Sequence, residues 1–292
     1  MSRAGHPRRV ISSRHTEPCR EALSPGDVIL GPAMLEPSEE KLLAPDEPPP
    51  FTEVRAHGGS DFVIIVDHAS ARIPRSLQDL GVPAAELQRH IAWDIGALAV
   101  ALQVSAALDA PLLAQNYSRL VIDCNRDPKV ASSIPTISEH TQIPGNTGLS
   151  EAHKAARRTE IFEPYHERIR ALLDARAAAG RRTILIAQHS MTHQFKGSQR
   201  RMHAAVLYNR DRRFAGLVLD SLRRDPALVV ADNQPYFLSD ATDYSIPVHG
   251  ERRGLPHVEI EIRQDLLLHP QGQREWADRI TRALQDALEN YG

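Results

Sequence analysis

Two short apolar runs, FVIIV at 62–66 and ILIA at 184–187, are hemmed in by polar residues and show no alternation of their own. A strand with one wet face alternates apolar and polar side chains, so runs like these belong to strands covered on both faces. Helices must therefore lie above and below them, and the sequence supplies helical patterns between the runs. Residues 84–108 keep apolar side chains at helical spacing without a proline and read as one long helix or two joined ones. Residues 150–180 read as an amphipathic helix bent or split at Pro164 and stopped by Gly180. Further helices are expected at 214–225 and over the closing segment REWADRITRALQDALENYG. Further strands are expected at APLLAQ, at RLVIDCN (119–125), at HAAVLYN (203–209) and at HVEIEIRQDL (257–266). In the last of these, alternation puts Val258, Ile260 and Ile262 on one face and Glu259 and Glu261 on the other. The expected class is α/β, a mixed, mostly parallel central sheet flanked by helices on both faces.

Residues 1–40 mix proline, serine, glycine and charge without a sustained period, and PDEPPP at 45–50 punctuates the chain before the first dense apolar pattern. We expect a flexible N-terminal tail over 1–40 and a single domain over 41–292. The 292 residues carry 35 Lys+Arg against 37 Asp+Glu, a balance that supplies no field for nucleic acid or an anionic membrane. No run of about 18 apolar residues exists, so no transmembrane helix is expected. Two cysteines, Cys19 and Cys124, make no disulfide framework, and the expected location is the cytoplasm. The sequence does not indicate an oligomeric state.

In a sheet of this kind, sites form at the carboxyl ends of the strands. Three expected strands deliver an ionisable group there: His68 after FVIIVD, His189 after TILIAQ, and Glu261 in VEIEIRQD. Two histidines and a carboxylate on separate strands are the parts of a catalytic zinc site, which uses three protein ligands and leaves a position for water. HIAWD offers a further ligand, His90 or Asp94, four apart on one expected helical face. A lone histidine at a strand end is more often a structural hydrogen-bonding residue, whereas a carboxylate among isoleucines must be paired or functional. Arginine forms a second cluster, with Arg119 and Arg126 beside Asn125 in RLVIDCNRD and Arg263 beside Glu261. Guanidinium forks bind carboxylates, so a small carboxylate-bearing substrate is the expected partner. With a strand period of two, Arg119 and Arg126 point to opposite faces, and Arg126 at the strand end is the one expected in the pocket. HExxH, CxxC, GxSxG, GxGxxG and P-loop motifs are all absent. The long polar stretch 128–149 has the length of a functional loop.

The segments VDHAS, HIAWDIGA, YSRLVIDCNRD, PYHERI, QHSMTHQFKG and HVEIEIRQDL, in this order and spacing, resemble the N-formylglutamate amidohydrolase family from about Leu42 to the last helix. The resemblance implies a fold similar to zinc carboxypeptidases and aspartoacylases, a mixed eight-stranded sandwich around one Zn2+ or another divalent metal per chain. It implies His68, Asp94 and His189 as ligands, His90 being the alternative to Asp94, with Glu261 as general base. It makes Asn125-Arg126 similar to a carboxylate-binding Asn-Arg pair, with Arg119 or Arg263 assisting. The implied activity is metal-dependent hydrolysis of the amide bond of an N-acyl amino acid, with N-formyl-L-glutamate, giving formate and L-glutamate, as reference substrate. The alternatives are a carboxypeptidase or peptidoglycan-type amidase and an inactive carboxylate-binding protein. The chain reads DHAS and IEIRQ where the strict deformylases of histidine breakdown read more like PHAG and LEMAQ, so it resembles a broader branch of the family.

Overall fold

Seven strands form the central sheet of the computed structural model, which describes residues 41–292; the expected tail, with Cys19, lies outside the described residues. The strands are β1 (Phe51–Val54), β2 (Phe62–Val66), β3 (Leu112–Gln115), β4 (Ile184–Met191), β5 (Ala204–Leu207), β6 (Val230–Asp232) and β7 (His257–Arg263). Their spatial order is β1-β3-β2-β4-β7-β5-β6. Pairings β3-β2, β2-β4, β4-β7 and β5-β6 are parallel, while β1-β3 and β7-β5 are antiparallel. The mixed, mostly parallel sheet is therefore as expected, with seven strands where the resemblance implied eight.

Both faces of the sheet are covered. Even-numbered residues of β2 and β7, Phe62, Ile64, Val66, Val258, Ile260 and Ile262, pack with helices α2 (Ala97–Leu108), α5 (Arg213–Arg223) and α6 (Pro270–Asn290). The opposite face buries Val63, Ile65, Leu185 and Ala187 beneath Tyr165, Ile169 and Leu173 of α4 (Glu163–Ala178). The short α1 (Ala84–Leu87) precedes α2, and α3 (Glu151–Arg157) runs into α4 through a π-helical turn, Arg158–Phe162, that ends just before Pro164. Among the described residues no helix is long and apolar enough to cross a membrane.

Two local expectations are corrected. Residues 118–125 form turns rather than a strand, although LVI at 120–122 is fully buried. The segment is held from outside: Arg157, itself buried, donates from Nη1 to the Val121 carbonyl (3.0 Å) and to Asn146 Oδ1 (2.6 Å), and from Nη2 to the Gly145 carbonyl (3.3 Å). Asn146 in turn donates to the Leu120 carbonyl (2.8 Å). These bonds replace a strand ladder and account for the missing strand. Burial lowers the Arg157 guanidinium to about 10, because no carboxylate offsets its desolvation. Arg157→Met leaves two buried acceptors, the Val121 carbonyl and Asn146 Oδ1, short of a donor and is expected to destabilise the fold by about 3 kcal/mol. A melting experiment should show a drop of roughly 6–12 °C for a domain of this size.

The second correction concerns HIAWD. Residues 88–96 are turns between α1 and α2, not helix. Gly96, at φ 81°, caps α2, and a Cβ there would stand 2.4 Å from Leu267 Cβ, so only glycine fits. His90 and Asp94 consequently do not share a helical face.

Candidate metal centre and active site

The carboxyl ends of the parallel neighbours β2, β4 and β7 lie along one edge of the sheet, and this edge gathers the charged groups. β2 stops at Val66 and leaves Asp67 and His68 beyond it; β4 carries His189, and β7 places Glu261 directly across the ladder from His189. Residues paired across a ladder share a face, so Glu261 and His189 project on the same side. Asp94 arrives from the turn before α2. Its N–H donates to the His68 carbonyl (2.9 Å), and Ser190 Oγ donates to the Ile95 carbonyl (2.8 Å), which pins the turn to both strand ends.

His68, Asp94 and His189 are buried and offer ligand atoms within 4.8 Å of one another. Asp94 Oδ2 lies 2.8 Å from His189 Nδ1 and 3.4 Å from His68 Nδ1. The far nitrogen of each ring faces another aspartate: His68 Nε2 is 2.7 Å from Asp123 Oδ1, and His189 Nε2 is 3.4 Å from Asp67 Oδ2. This fits a divalent cation on two counts. Two imidazoles and one carboxylate form a common donor set for catalytic zinc. Carboxylates behind ligating imidazoles fix ring orientation and tautomer, so that the near nitrogens present lone pairs. Asp67 is itself anchored, its Oδ1 accepting from Tyr165 Oη (2.9 Å) and Ser245 Oγ (2.8 Å). Asp123 Oδ1 also accepts the Asn125 N–H (2.9 Å).

The electrostatics are those of a compact acid cluster around two imidazoles. Burial disfavours charge on Asp67, yet the His189 contact and the charges of His189 and His68 outweigh it and hold the carboxyl at about 2. Asp94 is held below the usual range, its burial overcome first by His68 and then by His189. Both histidines are raised in spite of burial, His68 by Asp123 and Asp94, and His189 by Glu259, Asp67 and Asp94. Glu261 shifts the other way, its carboxyl raised by burial and then by the Asp94 charge. Its Oε1 accepts from Tyr236 Oη (2.7 Å), while Oε2 is buried with no hydrogen-bond partner among the described residues. Glu261 is thus a carboxylate of high proton affinity beside the cluster, the property a general base needs.

The other residues expected at the site separate. Asn125 is a strap: its Oδ1 accepts the Tyr244 and Ser245 N–H groups (3.0 Å each), and its Nδ2 donates to Asp243 Oδ1 (3.3 Å). Arg119 is committed to Asp123 (2.6 and 3.1 Å) and lies 3.5 Å from Asp94 Oδ1. Arg126 approaches Asp123 and Asp243 only at 4.0 Å. Both arginines therefore reach Asp123 from a turn, which overturns the expectation that they point to opposite faces of a strand. Arg263 is turned away, bound to Asp265 (2.8 Å) and to the carbonyls of Arg200, Arg201 and Met202. His90 faces Glu139 (3.3 Å), on a small hairpin of the long loop, and stands outside the triad. Asp123, Tyr236 and the buried Glu259, whose Oε2 is 3.8 Å from His189 Nε2, are neighbours the residue pattern did not single out. Tyr236 sits in a polar stretch without period, and only the fold brings it to Glu261.

The N-formylglutamate amidohydrolase family model matches residues 60–268. Among solved structures, gene product Atu2144 from Agrobacterium tumefaciens is 35% identical, with a TM-score of 0.83 over 85% of this chain and 98% of that one. An N-formylglutamate amidohydrolase from Ralstonia eutropha JMP134 shares the fold at 18% identity, with a TM-score of 0.59 over 82% of this chain and 97% of that one. No curated protein matches the chain.

Proposed function

The chain belongs to the N-formylglutamate amidohydrolase family, and from that premise we propose that it hydrolyses the amide bond of an N-acyl amino acid with the help of one divalent metal ion, N-formyl-L-glutamate being the reference substrate. The observation that carries the reading is the convergence of His68, Asp94 and His189 beside Glu261 at one sheet edge. His68 Nδ1, Asp94 Oδ2 and His189 Nδ1 would hold the ion, which supplies polarisation of the amide carbonyl and acidification of water. Zinc is the expected metal from the donor set.

The protein's own groups do the remaining work. Glu261 accepts a proton from the attacking water on Oε2 and returns it to the nitrogen of the departing amine, since the amine cannot leave as an amide anion. Tyr236, donating to Oε1, fixes the rotamer of Glu261 so that Oε2 stays turned to the reacting atoms. Arg126, with no short ion pair of its own, binds the substrate's α-carboxylate and so orients the amide against the cluster. Asn125 acts indirectly, by holding residues 243–245 beside that arginine.

The test is a panel of N-formyl, N-acetyl and dipeptide substrates offered to the metal-loaded protein and read by amine release. Release from an N-acyl amino acid, with formate from the formyl compound, is the expected result. Release from dipeptides alone assigns a peptidase. No release from any compound, with metal bound, overturns the enzymatic reading.

A further inference from the structure

Four arginines surround the site, and two of them are neutralised locally: Arg119 by Asp123, and Arg263 by Asp265. Arg126 is the third. The fourth, Arg200, forms no ion pair among the described residues. Its guanidinium lies over two aromatic rings, 5.1 Å from the Phe195 centroid and 5.3 Å from that of Tyr236. Among the described residues the guanidinium makes one hydrogen bond, from Nη1 to the Thr192 carbonyl (3.3 Å). The Tyr236 hydroxyl on the same ring reaches Glu261, so this guanidinium stands at the mouth of the site. Its charge is felt by both Glu261 and His90.

We propose that Arg200 is a specificity-determining residue that binds a second carboxylate of the substrate, in a subsite walled by Phe195 and Tyr236. The inference rests on the amidohydrolase reading above and adds to it the residue that distinguishes acidic from neutral side chains. The physical argument is one of unmatched charge and prepared geometry. Arg126 belongs to the Asp123 and Asp243 side of the site, at 4.0 Å from each, and Arg200 to the Glu261 side, so the two guanidinium groups address different parts of one ligand. Among the described residues Nε and Nη2 carry no hydrogen bond, and these are the donors that can meet a carboxylate in a fork. Held there, the guanidinium has little rotamer freedom left to lose when the anion arrives. An N-acyl amino acid with an acidic side chain supplies two carboxylates for two arginines, whereas a neutral side chain leaves Arg200 without a counter-charge.

Arg200→Gln removes the charge and keeps a planar group. Steady-state kinetics are to be compared for N-formyl-L-glutamate and N-formyl-L-glutamine, which differ only in the distal carboxylate. The variant is expected to lose about 30-fold in kcat/KM on the glutamate compound, chiefly through KM, and less than about threefold on the glutamine compound. Equal losses on both, or none on either, overturn the proposal. If the wild type turns over neither compound, the function reading fails separately. The subsite is then tested by calorimetry with N-acetyl-L-glutamate and N-acetyl-L-glutamine: a wild-type preference for the dicarboxylate that Arg200→Gln abolishes supports it, and no preference overturns it. Phe195→Leu keeps the question decidable if Arg200→Gln does not fold. By loosening the clamp it should reduce the same preference, and an unchanged preference counts against the subsite.

Discussion

Alanine at His68 or His189 is expected to strip the protein of stoichiometric divalent metal, while alanine at His193 leaves the metal in place. Elemental analysis of the three purified variants is the check. Each of the first two changes removes one of three donors that lie within 4.8 Å of one another, and no fourth His, Cys, Asp or Glu completes the group among the described residues. His193 is exposed and is not a member of the group. The loss should exceed by a wide margin the roughly 10- to 100-fold in affinity that follows removal of an outer partner, which is the range expected for Asp123→Asn and Asp67→Asn. Activity should fall with metal content and return in neither histidine variant at high zinc. Proton competition gives an independent readout. Both imidazoles have raised proton affinity in the metal-free cluster, so an entering ion must displace protons from them. Apparent metal affinity should therefore drop as pH falls, by about tenfold per pH unit for each proton displaced. Full metal occupancy in both histidine variants would remove the basis for this centre.

The parts of this site that were legible in the sequence are those whose signal is local. FVIIV, ILIA and the alternating HVEIEIR declare strands through burial pattern alone, and the groups at their ends, His68, His189 and Glu261, meet because parallel neighbours end on one edge. What was misread depends on partners distant in sequence. LVI at 120–122 has the composition of a strand, but Arg157 and Asn146 satisfy its carbonyls from more than twenty residues away, and nothing local announces that. HIAWD keeps helical spacing into a turn that a single left-handed glycine creates. Spacing left His90 and Asp94 equivalent, whereas in the fold His90 faces Glu139, 49 residues beyond it, and Asp94 clusters with His68 and His189. Arg263 sits next to Glu261 in expectation, yet its donors are consumed by Asp265 and three backbone carbonyls, a competition that no residue count reveals.

Glu261→Gln is expected to retain metal and substrate affinity while lowering kcat by about 10² to 10⁴, the range for a lost general base. Glutamine preserves the volume and can still accept the Tyr236 hydroxyl, so the change isolates proton transfer from packing. Tyr236→Phe should cost far less, about tenfold or under, because it removes one hydrogen bond and leaves the carboxylate. The decisive comparison is Glu259→Gln. Glu259 lies two residues earlier on the same face of β7, is more deeply buried, and has its carboxyl raised well above the usual range, first by burial. By proton affinity alone it would be an equal candidate. Geometry separates the two: Glu259 approaches His189 at Nε2, the nitrogen turned away from Asp94, whereas the proposed ligand atoms are the Nδ1 nitrogens that face Asp94. A base at Glu259 would sit behind the imidazole that holds the ion, with the ring between it and the attacking water. Glu261 stands closer to the carboxyl edge, across the ladder from His189 and within reach of the mouth residue Tyr236. Glu259→Gln should therefore leave kcat within a few-fold of wild type and act mainly on metal affinity through His189. If the kinetic losses fall on Glu259 and spare Glu261, the proton is handled from behind the ring and the substrate must approach from the opposite side of the cluster.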